Sequence, residues 1–166
     1  MATISPRTLH PKRQELYAYW QRKAGDRPMP ALRELNPATL KPWLANLLII
    51  GVREESKFHY HYYGAGFIDA FGVNMSCRTI DSLPEAQRTL IQHEYEYVRA
   101  RKAPTWRIYS GEFDGRILTW ERLILPVATD GTNVDALLVG VYERENEGMF
   151  DVAAPSVAAP SVAPAG

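Results

Sequence analysis

The sequence predicts an α+β fold, five antiparallel strands in one sheet with helices on one face and a further helix at the N-terminus. Three observations lead there. Two strand-like runs come early in the chain and three come late. A long amphipathic stretch, residues 82–102, separates the two groups. Asp114-Gly115 and Asp130-Gly131 fall between the late runs, and Asp-Gly is a pair that antiparallel hairpins favour.

The elements follow in order. Residues 11–24 read as an amphipathic helix: Pro11 suits a first turn, Gly25 suits the stop, and Leu16, Tyr19, Trp20 and Lys23 share a face. A connector punctuated by Pro28, Pro30, Pro37 and Pro42 comes next. Within it Asn36 caps one short helix whose buried side is Leu40, Trp43 and Leu44. Residues 47–53 and 58–63 form a hairpin across the polar turn Glu54-Glu55-Ser56-Lys57. Gly64 and Gly66 bracket a turn into a short helix, 67–71, closed by Gly72, and residues 74–83 are irregular or a single helical turn. The long helix opens on a capping box formed by Ser82 and Glu85, with Pro84 in its first turn. Its inward side is Ala86, Leu90, His93 and Tyr97, with Ile91 and Val98 beside them. Pro104 ends it, and strands follow at 105–113, 116–128 and 135–142.

A chain of 166 residues has room for one domain and a tail. The division expected is a flanking helix over 1–26, the domain over 27–146, and a disordered tail over 147–166. From Ala153 the tail reads AAPSVAAPSVAPAG, too poor in large apolar groups to offset its own chain entropy. An apolar content of 46% supports a packed core. Lys plus Arg equals Asp plus Glu at 19 each, so the basic footprint of a nucleic-acid binder is absent. Arg99, Arg101 and Lys102 read as a solvated helix end. No apolar run approaches the roughly 18 residues of a membrane helix, and residues 1–13 lack a secretory signal's apolar stretch. The single cysteine, Cys77, excludes an intrachain disulfide. The expected location is the cytoplasm, with neither membrane nor nucleic acid as a partner.

The order of elements, and three pieces of sequence, resemble the PAS family, in particular a bacterial branch common in alphaproteobacteria with a Pro-rich entry. The pieces are MPALRELNPATLKPWLANLLIIGV, FHYHYYGAGFIDAFG and LILPVATDG. Together they cover about residues 27–143. Two positions depart from the pattern: Cys77 stands where glycine is expected, and His61 where the aromatic strand carries arginine. The resemblance implies a sensory or regulatory role in signal transduction. It also implies a small molecule or cofactor held between sheet and helices, a signalling protein as partner, and dimerisation through the sheet or flanking helices. On that template the residue before Gly64 faces the helices, so Tyr63 and His61 look into the pocket. Phe58, Tyr60 and Tyr62 then face outward.

Candidate chemistry is sparse. His59 and His61 on one strand face lie about 7 Å apart, but no third ligand follows at metal spacing, so no metal is expected. Haem-binding PAS domains take their axial histidine from the long helix, which singles out His93; the plainer reading is a packing histidine. Flavin-type PAS domains carry a reactive Cys before Arg in the region of Cys77-Arg78; here the plainer reading is a buried, inert thiol. Arg122 alternates onto one face with Trp120 and Ile124, while Glu121 points the other way. A guanidinium on so apolar a strand needs a carboxylate, from Glu112 or Glu143, or an anionic ligand.

The pocket expected is lined by His61, Tyr63, Phe67, Phe71, His93, Tyr97 and Arg122, which suits a small planar or anionic metabolite. A cyclic nucleotide and a carboxylate both meet that description. No nucleophile–base pair is evident, so no catalysis is expected. Two alternatives stand beside the sensor: a small enzyme using His61 with Asp69, and a ligand-free dimerisation module whose cavity is below about 300 Å³. A homodimer is expected from the aromatic outer face of the second strand and the Leu16/Trp20 stripe.

Overall fold

The structure, a computed structural model, describes residues 10–53, 57–113 and 115–144. The expected polar turn at Glu54–Ser56, Asp114 of the first Asp-Gly pair and the C-terminal tail lie outside those residues. Strands β1 (Leu47–Arg53), β2 (Lys57–Tyr63), β3 (Thr105–Phe113), β4 (Arg116–Val127) and β5 (Ala136–Arg144) form one sheet in the order β2-β1-β5-β4-β3. Every pairing is antiparallel. Helices α1 (Pro11–Ala24), α2 (Pro37–Leu40), α3 (Ala65–Phe71) and α4 (Glu85–Arg101) complete the domain.

Strand alternation gives the sheet two working faces. Leu48, Ile50, Ile124, Leu137 and Val139 line the inner face and meet Ile91, Tyr95 and Val98 of α4. Leu123, Leu125 and Leu138 line the outer face, which α1 covers. Gly140 admits this close approach, since a Cβ there would lie 2.8 Å from Leu16 Cδ2. Polar contacts fasten the helix. Trp20 Nε1 donates to the Pro126 carbonyl at 2.9 Å, and Trp43 Nε1 donates to the Lys12 carbonyl at 2.9 Å. Arg13 Nε lies 3.0 Å from Glu121 Oε2, both side chains fully buried, and the guanidinium sits 4.7 Å above the Trp106 ring.

Several local expectations change. The single helix after Asn36 ends at Leu40; Asn36 does cap it, accepting from Ala38 N at 2.8 Å. Leu44 belongs to a separate 3-10 turn, Leu44–Asn46, because Pro42 cannot donate the backbone bond a continuing helix needs. Helix α3 starts two residues earlier than expected. Gly64 and Gly66 serve its packing, since a Cβ on either would meet the Ala45 carbonyl oxygen at 2.5 and 2.6 Å. The capping box does not form: Pro84 is the N-cap of α4, and Ser82 closes the preceding 3-10 turn Ile80–Ser82. The inward side of α4 is Ile91, Glu94, Tyr95 and Val98, rotated by about one residue from the stripe through Leu90, His93 and Tyr97.

The largest difference lies in β2. Its pairing with β1 shifts between Ile49↔Tyr62 and Ile50↔Tyr60, which leaves His61 as the extra residue of a β-bulge. Alternation restarts across the bulge, so Phe58, Tyr60 and Tyr63 all face inward while His59 and Tyr62 face outward. Phe58 meets Tyr95 of α4 edge-on, with ring centroids 5.3 Å apart. The outer edge of β2 is covered by residues 77–79: Cys77 N donates to the Tyr60 carbonyl and Tyr60 N to the Arg78 carbonyl, both at 2.8 Å.

Candidate functional site

Between the inner sheet face and helices α3 and α4 lies a cavity of about 220 Å³. Tyr60 and Tyr63 enter it from β2, Phe67 and Phe71 from α3, Tyr95 and Gln87 from α4, and Tyr109, Trp120 and Arg122 from β3 and β4. Aromatic rings make most of the wall because three strands present them at inward positions and α3 returns two more across the Gly64 turn. Burial pushes the Tyr63 phenol up to about 12 and raises those of Tyr60, Tyr95 and Tyr109, so these hydroxyls stay neutral.

One charge cluster borders the cavity. Arg122 is buried, and its Nη2 is paired with Glu94 Oε2. Arg107 Nη1 lies 2.9 Å from Glu94 Oε1, with the Arg107 side chain half exposed. The Tyr109 ring centroid is 5.0 Å from the Arg122 guanidinium carbon. Burial works against the charge on Arg122, but Tyr109, Glu94 and Tyr95 outweigh it and hold its pKa above the ordinary arginine value. Arg122 Nε is buried and has no hydrogen-bond partner among the described residues, and the same holds for Gln87 Oε1.

Of the expected pocket residues, Tyr63, Phe67, Phe71 and Arg122 stand on the wall. His61, His93 and Tyr97 do not: all three are exposed. His61 is turned out by the bulge, and the register of α4 turns out His93 and Tyr97. Tyr97 instead carries Arg101 5.5 Å from its ring centroid. The counter-ion of Arg122 is Glu94 of α4, in place of the carboxylates expected from neighbouring strands. Glu94 was legible in one respect: Ile91, Tyr95 and Val98 are the most apolar i, i+4, i+7 set on the helix, and Glu94 falls inside it. The inward turn of Tyr60 had no comparable signal, since a bulge leaves the alternation of FHYHYY unmarked.

The side chains singled out for cofactors do not fit those roles. His93 is exposed and off the wall, so it cannot ligate a haem held there. Cys77 is exposed, contrary to the buried thiol expected, and also off the wall. It occupies the left-handed region, φ 65°, where glycine is favoured. His59 and His61 have ring centroids 5.8 Å apart, and among the described residues no group of three His, Cys, Asp or Glu side chains is placed to hold a metal. His61 and Asp69 are both exposed, and neither stands on the cavity wall. Among the described residues no helix is long and apolar enough to cross a membrane.

A family model described as a PAS domain matches residues 8–143. Solved structures are similar to the chain. The PAS domain of Bordetella pertussis BvgS is 15% identical, covers 66% of this chain and 84% of its own, and superposes with a TM-score of 0.50. A light-oxygen-voltage domain studied with a flavin analogue is 16% identical, with 66% and 84% covered and a TM-score of 0.49. The Ile74Val variant of Vivid is 14% identical, with 87% and 100% covered and a TM-score of 0.48. No curated protein matches the sequence.

Proposed function

The chain belongs to the PAS domain family of sensory signalling modules, and from that premise we propose that it senses a small molecule bound between its sheet and α3/α4, without catalysing a reaction. The observation that carries this reading is the cavity of about 220 Å³ with aromatic walls and one buried guanidinium. Pockets for drug-sized ligands start at about 300 Å³, so the occupant is a compact metabolite. A screen of small metabolites by thermal shift tests it, using wild type and Ala70→Phe. Ala70 lies on the wall yet is exposed, so the larger side chain blocks the mouth at little cost to the core. Hits that stabilise wild type and leave Ala70→Phe unmoved support the reading; hits shared equally by both count against it.

The cavity's size also favours a second reading, a ligand-free interaction module. On that reading no metabolite shifts the wild type, and Ala70→Phe leaves partner binding intact. In either case the output passes to a signalling protein, and two copies pair. Leu16 and Trp20 are buried under their own sheet, so pairing falls to other surfaces such as that around Ile117, 66% exposed on β4. Sedimentation of wild type and Ile117→Asp checks this, and a wild-type monomer at tens of micromolar refutes it. A cytoplasmic location suits the exposed free thiol of Cys77.

A further inference from the structure

We infer that the cavity takes an uncharged, flat ring compound bearing a carbonyl oxygen, which accepts from the hydroxyls of Tyr60 and Tyr95; this rests on the cavity being a ligand site. Charge is the first argument. Arg122 is buried against Glu94, and the second cation on that carboxylate, Arg107, is half exposed and met by solvent. Glu143, the other ionised group on the wall, is also exposed. The buried charges are therefore balanced within the protein. An anion or a cation entering the cavity leaves water without gaining an opposite charge of its own, a transfer far costlier than that of a neutral body.

The hydroxyls supply the second argument. Tyr60 and Tyr95 line the cavity and are only 4% and 1% exposed. The Tyr142 hydroxyl is sealed into the protein, but those of Tyr60 and Tyr95 are not, and neither hydroxyl makes a hydrogen bond among the described residues. With so little outer surface, the space they open onto is the cavity. A buried hydroxyl without a partner is costly, so both call for one on the ligand. Arg122 decides which kind. Its charge acts on both phenols and, at Tyr95, outweighs that of Glu94. A nearby cation draws the phenol oxygens towards itself and turns their hydrogens away, so the hydroxyls are presented as donors. The complement is an acceptor with two lone pairs, a carbonyl oxygen. Tyr63, Phe67, Phe71 and Trp120 give ring walls to a flat body, and about 220 Å³ suits one substituted ring.

The probe is acetophenone, titrated into the full chain beside three molecules of nearly the same shape: benzoate, an anion; benzamidinium, a cation; and ethylbenzene, which has no acceptor. Binding is read from ligand-observed NMR. Acetophenone is expected to bind at least about tenfold more tightly than either ion, and about tenfold more tightly than ethylbenzene, the worth of two neutral hydrogen bonds. Tyr60→Phe with Tyr95→Phe in one chain keeps both rings and should bring acetophenone down to the affinity of ethylbenzene, leaving ethylbenzene unchanged. The four-probe comparison in wild type keeps the test open if that variant fails to fold. Benzoate or benzamidinium binding as tightly as acetophenone, or a preference over ethylbenzene that survives in the double variant, overturns the inference. If other metabolites stabilise wild type but not Ala70→Phe and acetophenone does not bind, only this inference fails. If nothing binds, the sensing reading fails with it.

Discussion

Glu94 sits on the inward stripe of a helix with one carboxylate oxygen against a buried arginine and the other against a half-exposed one. Removing it strands the Arg122 charge in the core, and an uncompensated buried charge costs about 3 kcal/mol. Glu94→Ala should lose that much in urea unfolding; a loss below about 1 kcal/mol means the pair contributes little to stability. Cys77 poses a smaller problem. A non-glycine residue at φ 65° is strained by about 1 kcal/mol, part of which glycine's extra unfolded-state freedom takes back, so Cys77→Gly should gain about 0.5 kcal/mol. Unchanged or lower stability refutes that account. His59 links the fold to pH. Burial, Arg53 and His61 depress its pKa from the ordinary 6.5, so the folded state binds its proton less readily than the unfolded chain does. Its contribution is present above 6.5 and is lost as pH falls through the depressed value. His59→Gln should therefore flatten the fall in melting temperature on acidification below pH 6.5. An identical slope in both proteins removes His59 as the cause.

Among the elements, α1 has the clearest energetic role. Leu16 is fully buried against Gly140 of β5, where nothing larger than glycine leaves room for it. Leu16→Ala leaves a void between helix and sheet and should cost about 3 kcal/mol in chemical unfolding. A cost under about 1 kcal/mol shows that α1 undocks readily and adds little to the core. The bulge in β2 works differently: it adds no burial of its own but decides which aromatics reach the cavity. One extra residue sends Tyr60 inward and His61 to solvent, exchanging a titratable wall for a neutral aromatic one.

At the scale of the whole molecule, β4 is the strand that both helical layers grip. Consecutive residues Glu121 and Arg122 form buried ion pairs on opposite faces, with Arg13 of α1 and Glu94 of α4. The outer sheet face is as apolar as the inner one and depends on α1 for cover. Deleting residues 1–26 should therefore abolish cooperative unfolding and produce aggregates, seen by light scattering and near-ultraviolet circular dichroism. A soluble, cooperatively folding deletion variant shows that the sheet stands without its outer layer.

The five strands, their antiparallel pairing, and helix α1 from Pro11 to Ala24 were all legible in the chain, because periodicity, proline and glycine act over a few residues and tolerate no alternative pattern. Tyr63, Phe67, Phe71 and Arg122 stand on the wall expected for them; Tyr63 was placed there by the resemblance to the PAS template, and Arg122 by strand alternation. What only the tertiary structure decided is which face of an ambiguous element turns inward. On α4 the stripe that turns inward is the one holding Glu94, which gives Arg122 on a distant strand its counter-ion. On β2 a one-residue bulge, set by pairing with β1, reverses the facing of Tyr60 and His61. Both are outcomes of contacts between segments far apart in sequence, where a pairwise charge or a register shift of one residue outweighs local pattern.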